Sequence, residues 1–184
     1  MGVIRPPKRA KLVVGLLTGD IDLLHLAIRR ISQSLGDIEF ESPLWPFTAT
    51  DYYRQELGDH VQRQFVFLRE LCSVERLPEI KRETNALEQS ICEDTAQPAN
   101  SRPVNIDPGY ITLSKLVLAS TKDYSHRIYL HQGIYAEVTL RFESGQWKAW
   151  PWTYPDYAAD TYHAAFTRAR ESLKSQIASM AEPT

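Results

Sequence analysis

With 184 residues the chain is long enough for one well-buried core, or at most one domain with a small appendage. A net charge of −2 and a pI near 6.2 exclude an overall basic field of the kind that holds a nucleic-acid backbone, although a local basic patch stays open. Cys72 and Cys92 have no His or Cys partner at metal-ligand spacing, which argues against a disulfide framework or a zinc site and for a reducing compartment.

Residues 1–10 form a basic tail, Met1 to Ala10, whose neighbouring apolar run Leu12–Leu17 is too short for a secretory h-region. Pro6 stands where a myristoylation motif needs Ser or Thr, and no run approaches the roughly 18 apolar residues that span a bilayer. The expected address is the cytoplasm, and residues 11–184 are expected to form a single α/β domain.

Lys11 to Thr18 is a β-branched, apolar run ending at Gly19-Asp20, and Asp20 is a good N-cap for a helix over Ile21 to Leu35. Leu24, Ala27, Ile28, Ile31 and Leu35 give that helix its apolar stripe, and Gly36 closes it. Ile38 to Glu41 alternates as a strand before Pro43 and Pro46 break the pattern, and Gln62 to Leu71 alternates again around Phe65 and Phe67. Thr48 to Tyr53 reads as a loop and helix start with Thr50 or Asp51 as cap. Leu77 to Glu93 is helical, with Ile80, Leu87 and Ile91 on one stripe, and a polar loop then leads to a strand over Val104 to Leu113.

This β-α-β-β-α-β order makes a ferredoxin-like core the simplest topology. Two alternating runs around His131-Gln132-Gly133 predict a hairpin over His126 to Phe142 in which Leu130 pairs with Ile134 and Arg127 faces Glu137. In that register Ile128, Leu130, Ile134, Ala136, Val138 and Leu140 share one face, and Arg127, Tyr129, Tyr135, Glu137, Thr139 and Arg141 the other. A turn at Ser144-Gly145 leads to a further strand over Trp147 to Trp152, and Tyr162 to Met180 is a final amphipathic helix. The fold class is thus α/β (α+β), a ferredoxin-like core extended by a C-terminal β-meander and a last helix.

Arg102, Asn105, Asp107, Lys115, Lys122, His126, Arg127, Tyr129, His131, Glu137 and Arg141 interrupt runs that otherwise read as buried strand. A strand that only filled a core would carry Val, Ile, Leu or Phe there, because an unpaired buried charge costs several kcal/mol. Lys115, Lys122, His126 and Arg127 suit an anion such as phosphate, Arg by bidentate contacts and Lys as a point charge. The plainer reading is a solvated strand end plus a cross-strand Arg127–Glu137 pair.

Asp107-Pro108-Gly109 fits a turn with a positive φ at Gly109, with Asn105 and Asp107 projecting into a pocket as the functional version. His126 and His131 point to opposite faces of a regular strand, so no shared metal is expected. No His-x-Thr/Ser motif supports a two-histidine phosphoesterase. Trp147, Trp150, Trp152, Tyr154, Tyr157 and Tyr162 read as core packing in preference to a base-stacking surface.

The motifs Trp45-Pro46-Phe47-Thr48-Ala49-Thr50-Asp51-Tyr52-Tyr53, Glu56-Leu57-Gly58, Thr84-Asn85, Glu88, Asn105-Ile106-Asp107-Pro108-Gly109-Tyr110, Lys115 to Ala119, His126 to Leu130, Gly133 to Leu140 and Trp152 to Tyr157 resemble those of Domain of Unknown Function 4416, a family of uncharacterised prokaryotic proteins. The resemblance runs over nearly the whole chain. It implies one domain and brings no activity, cofactor or catalytic residue with it. The chain also lacks a Gly-x-x-x-x-Gly-Lys-Ser/Thr phosphate loop.

The reading that joins these observations is a sheet-face pocket for a small anionic ligand, phosphorylated or nucleotide-like, lined by Arg102, Asn105, Asp107, Lys115, Lys122, Arg127 and Tyr129. His126 and Glu137 would be the acid and base if the protein is an enzyme. The alternative is a non-catalytic RNA-binding or protein-interaction module. No metal site or membrane partner is expected, the cofactor stays open, and nucleic acid ranks below the small ligand.

Overall fold

The computed structural model describes residues 2–48, 57, 60–95 and 102–181. The expected cap at Thr50 or Asp51 lies outside these residues. The strands are β1 (Ala10–Thr18), β2 (Ile38–Glu41), β3 (Trp45–Pro46), β4 (Gln62–Cys72), β5 (Asn105–Ile111), β6 (Lys115–Ser120), β7 (Ile128–His131), β8 (Ile134–Glu143) and β9 (Gln146–Ala149). The helices are α1 (Ile21–Leu35), α2 (Leu77–Asp94), α3 (Pro155–Ala158) and α4 (His163–Ala181).

Local chemistry sets most of these boundaries. Asp20 Oδ1 accepts from the Asp22 and Leu23 amides at 2.8 and 3.2 Å, which starts α1 where the cap pattern predicts, and Gly36 at φ 108° stops it. Two hairpin loops contain only two residues each, Gln132-Gly133 and Ser144-Gly145, and all four have positive φ, the type I′ pattern that matches strand twist. The first loop is therefore one residue shorter than expected: His131 pairs with Ile134, and an irregularity at Leu130 restores the expected Tyr129–Tyr135 and Ile128–Ala136 pairs.

The strands form one sheet in the order β2-β4-β1-β5-β6-β8-β7, with β3 beside β2 on β4 and β9 on β8. Every pairing among the described residues is antiparallel. The fold is thus a mixed α+β one, with helices on both faces. Leu12, Val14, Leu16, Val66 and Ile106 pack against α1 and α2 through Leu24, Ile31, Ile80 and Ile91. Val13, Phe65, Phe67, Leu116 and Leu140 pack against Tyr157, Phe166 and Ala169 of α3 and α4.

A bulge at Thr139 changes the expected facing of β8. The partner of Leu116 is Leu140 while that of Val117 is Val138, so Val138 joins Ile134 and Ala136 near Leu77 of α2, and Leu140 turns to the α4 side. Ile128, expected on the apolar face, lies on the edge strand and is 71% exposed.

Asp107-Pro108-Gly109 is not a turn. The three residues continue β5, opposite Gly15, Val14 and Val13 of β1, and Gly109 has no positive φ. What requires glycine is proximity, because a Cβ there would come within 2.4 Å of the Val117 carbonyl oxygen. The pairing of β5 with β6 runs only from Gly109 to Ile111, whereas its pairing with β1 runs from Asn105 to Ile111. The ladder to β6 starts directly after Pro108, which has no N–H to donate. Beyond that point β5 and β6 part, and the sheet is split.

Candidate functional site

A cavity of about 680 Å³ occupies the split. Among the described residues its walls come from Asn105 and Asp107 of β5, Leu118 to Lys122 of β6 and the following turn, Glu137 of β8, Lys81, Asn85 and Glu88 of α2, Arg63 of β4, and Tyr154 to Tyr157. Arg102, Tyr124 and Arg127 complete the rim.

Two side chains of α2 stand in for the missing β6 ladder. Glu88 Oε1 accepts the Ile106 N–H, and Lys81 Nζ donates to the Ile106 carbonyl at 3.3 Å, so both backbone groups of the freed strand are satisfied. Lys81 and Glu88 lie two turns apart on the helix, so both project from the face of α2 that meets β5. Lys81 Nζ also reaches Asp107 Oδ1 at 2.9 Å, and Arg102 forks onto Glu88 with two 3.1 Å bonds while also donating to Asn105 Oδ1. Asn105 Nδ2 donates to Asp107 Oδ2.

Burial pushes the Asp107 carboxyl up, but Lys81 and Asn105 outweigh it and hold the group at about 2. At Glu88 burial wins over Arg102 and Lys81, and its pKa is raised. Two carboxylates on one wall are thereby driven apart by their surroundings.

The opposite wall is built on Arg127. Its Nε donates to Glu137 Oε2 at 2.9 Å, Nη1 to Ser120 Oγ at 2.6 Å and the Lys122 carbonyl at 3.1 Å, and Nη2 to Tyr154 Oη at 3.2 Å. Glu137 also receives His126 Nε2 at 3.1 Å and the Thr139 hydroxyl at 3.3 Å. Arg127 and Glu137 side chains are 3% and 2% exposed.

A further part of the wall is Arg63, whose Nη2 donates to Asp156 Oδ2 at 3.0 Å and whose guanidinium lies 5.3 to 5.5 Å from the ring centroids of Phe47, Phe65 and Tyr157. Arg63 Nε and Nη1 and the Tyr157 hydroxyl are buried with no hydrogen-bond partner among the described residues. Arg63 also lies near the Tyr162 hydroxyl, where its charge opposes the upward shift that burial gives the Tyr162 pKa.

Of the residues singled out in the sequence, Arg102, Asn105, Asp107, Lys122, Arg127 and Glu137 line the cavity. His126 stands behind the wall, bonded to Glu137 and stacked on Trp152 at 5.5 Å and 13°. Lys115 pairs with Arg141 toward the other end of β6, and Tyr129 lies on the exposed edge with its ring against Tyr135; neither lines the cavity. The aromatic segment divides: Trp147, Tyr157 and Tyr162 are core, whereas Trp152 and Tyr154 are exposed.

Sequence reasoning did not select Arg63, Lys81, Asn85, Glu88, Tyr157 or Asp156. Signals for three of them existed: Lys81, Asn85 and Glu88 follow helical spacing beside the apolar stripe of α2. Arg63 shares a strand face with Phe65 and Phe67, where a charge has to be explained. Among the described residues no group of three His, Cys, Asp or Glu side chains is placed to hold a metal, and no helix is long and apolar enough to cross a membrane.

The family model described as Domain of unknown function (DUF4416) matches residues 8–173, and the chain belongs to that family. No curated protein and no solved structure matches it.

Proposed function

We propose that this DUF4416 protein binds a small anionic ligand, phosphorylated or nucleotide-like, in the cavity of its split sheet. The observation that carries the reading is an imbalance of hydrogen-bonding capacity. Both oxygens of Glu88, Asp107 and Glu137 are already engaged by donors, while Arg63 Nε and Nη1, Arg102 Nη1 and the Asn85 amide have no partner among the described residues. With these three carboxylates capped and guanidinium donors remaining, the lining favours a ligand rich in acceptors. Among the described residues the lining charges agree, since Arg63, Lys81, Arg102, Lys122 and Arg127 outnumber Glu88, Asp107, Glu137 and Asp156 by one.

The reading is one of binding rather than chemistry. Glu137 is held by Arg127, His126 and Thr139, which makes it a wall element more than a free base. The β-α-β-β-α-β connectivity with strand order β2-β4-β1-β5 supports describing the core as ferredoxin-like. Exposed Tyr124, Trp152 and Tyr154 favour, as the second reading, a non-catalytic module that stacks single-stranded RNA or a partner's side chains.

A thermal-shift panel of inorganic phosphate, sugar phosphates and nucleotides tests the proposal. A ligand at 100-fold its Kd adds about 2.7 kcal/mol to stability. Arg102→Ala is expected to reduce the shift and Lys115→Ala, remote from the cavity, to keep it. A panel in which no anion stabilises the wild type overturns the reading.

A further inference from the structure

Two tyrosines are held in the open on the rim of the cavity. Tyr124 is 49% exposed and Tyr154 43%, and both line the cavity. The other two exposed aromatic residues among those described are already covered by rings: Trp152 stacks on Trp150 at 5.2 Å and on His126 at 5.5 Å, and Tyr129 lies edge-on to Tyr135. Tyr124 meets only His126, tilted at 6.0 Å, and Tyr154 has no ring partner among the described residues. An aromatic ring gains by leaving water, so rings kept out of the packing at the mouth of a cavity need a reason.

One buried cation fixes both. The Arg127 guanidinium lies 4.5 Å from the Tyr124 ring centroid, and its Nη2 donates to Tyr154 Oη at 3.2 Å. The Arg127 side chain is 3% exposed, so it covers the protein side of the Tyr124 ring and leaves the outer side open. The backbone adds to this. The Arg127 N–H donates to the Tyr124 carbonyl at 2.9 Å, and Tyr154 precedes Pro155 at the start of α3, where its carbonyl accepts from the Ala158 N–H at 2.9 Å. Tyrosines anchored in this way lose little conformational freedom when a ligand packs on them.

The donors that have no partner stand on the other wall. Arg102 Nη1 and the Asn85 amide line the side built by α2 and the start of β5, and the Arg102 side chain is 37% exposed, open to a ligand. Leu118, Ala119 and Pro155 add uncharged surface to the lining. The volume of about 680 Å³ lies in the range of about 300 to 1,000 Å³ that takes a whole organic ligand, of which a phosphate group fills only one end.

We propose that the Tyr124–Tyr154 rim receives a planar aromatic ring of the ligand, while the ligand's phosphate meets Arg102 and Asn85 on the α2 side. This rests on the anion-binding reading of the same cavity and narrows it to phosphorylated compounds that carry a planar heteroaromatic ring. Nucleobases and pyridine rings share that chemistry.

Calorimetry on matched probes tests the assignment. Adenosine and uridine 5′-monophosphates are compared with ribose 5-phosphate, and pyridoxine 5′-phosphate, which has no aldehyde to condense with Lys81, with glycerol 3-phosphate. The wild type is expected to bind at least one ring-bearing probe about tenfold or more tightly than its ring-free counterpart, the weight of one stacked ring. A preference confined to the nucleotides identifies a base, and one confined to pyridoxine 5′-phosphate a pyridine ring.

Tyr124→Leu and Tyr154→Leu are each expected to lower that ratio severalfold while ribose 5-phosphate binding stays as in the wild type. Tyr154→Phe keeps the ring without the hydroxyl and is expected to retain the preference, which a purely structural role for the bond to Arg127 does not predict. Should one leucine variant fail to fold, the other carries the comparison. If the ring-free probes bind but a ring adds nothing, if the leucine variants keep the preference, or if Tyr154→Phe loses it as fully as Tyr154→Leu, the rim assignment falls and anion binding stands. If no probe binds the wild type, both fall.

Discussion

Asp107 shows how one buried side chain is fixed by its surroundings. Its folded pKa of about 2 is below the ordinary 3.8, so the stability it contributes is fully present above about pH 4 and is lost as pH falls toward 2. The shift corresponds to something on the order of 2 kcal/mol, reduced by solvent reaching its partly exposed carboxylate. Asp107→Asn is expected to lower stability at pH 7 and to flatten the wild type's loss between pH 4 and 2 in denaturant titrations. An unchanged acid limb would show that Lys81 does not hold the carboxylate.

Arg127 and Glu137 raise the matching question of what a buried pair is worth. Truncating Arg127 to Ala strands Glu137 in a 2%-exposed position and is expected to cost about 3 kcal/mol or more, whereas replacing both residues by Met is expected to recover most of the loss. Chemical denaturation of the single and double variants measures the difference. Equal losses in both would mean that the packing of these side chains, rather than their charge, holds the wall.

At the scale of elements, the cavity follows from where one ladder stops. Pro108 offers no donor, Gly109 permits the closest approach of β5 to β6, and Lys81 and Glu88 occupy the backbone groups of Ile106 that a continued ladder would have used. Gly109→Ala is expected to cost about 2 kcal/mol or more, because a Cβ at 2.4 Å from a backbone oxygen can be accommodated only by parting the strands. Gly133→Ala, strained only by its positive φ at a hairpin tip, is expected to cost about 1 kcal/mol. Urea midpoints that place Gly133→Ala as the worse of the two would remove the close-approach argument.

For the whole molecule, a net charge of −2 limits what a nucleic-acid partner could gain from counterion release. RNA binding measured by anisotropy is expected to be weak and nearly insensitive to salt. Tight binding that falls steeply between 50 and 200 mM salt, both concentrations chosen to span about the range over which phosphate contacts are lost, would favour the interaction-module reading.

Sequence alone determined the elements whose causes are local. The Asp20 cap and Gly36 end of α1, the two glycine hairpins and the apolar periods of β4, α2 and α4 depend on neighbours a few residues away, and the structure has them within a residue or two. The concentration of polar residues from Arg102 to Glu137 also pointed to the cavity's β5, β6 and β8 walls, since charge in a strand is legible without coordinates.

Tertiary structure alone decided the rest. The bulge at Thr139 turned Leu140 to the opposite face from Val138, β5 ran straight through Asp107-Pro108-Gly109, and the split between β5 and β6 depended on a helix some twenty residues earlier in the chain supplying Lys81 and Glu88. Arg63, Asp156 and Tyr157 meet across a separation of over ninety residues. Periodicity reports which face a residue takes within its own element. Which elements are neighbours, and which buried charge meets which, is set by long-range packing that no local pattern encodes.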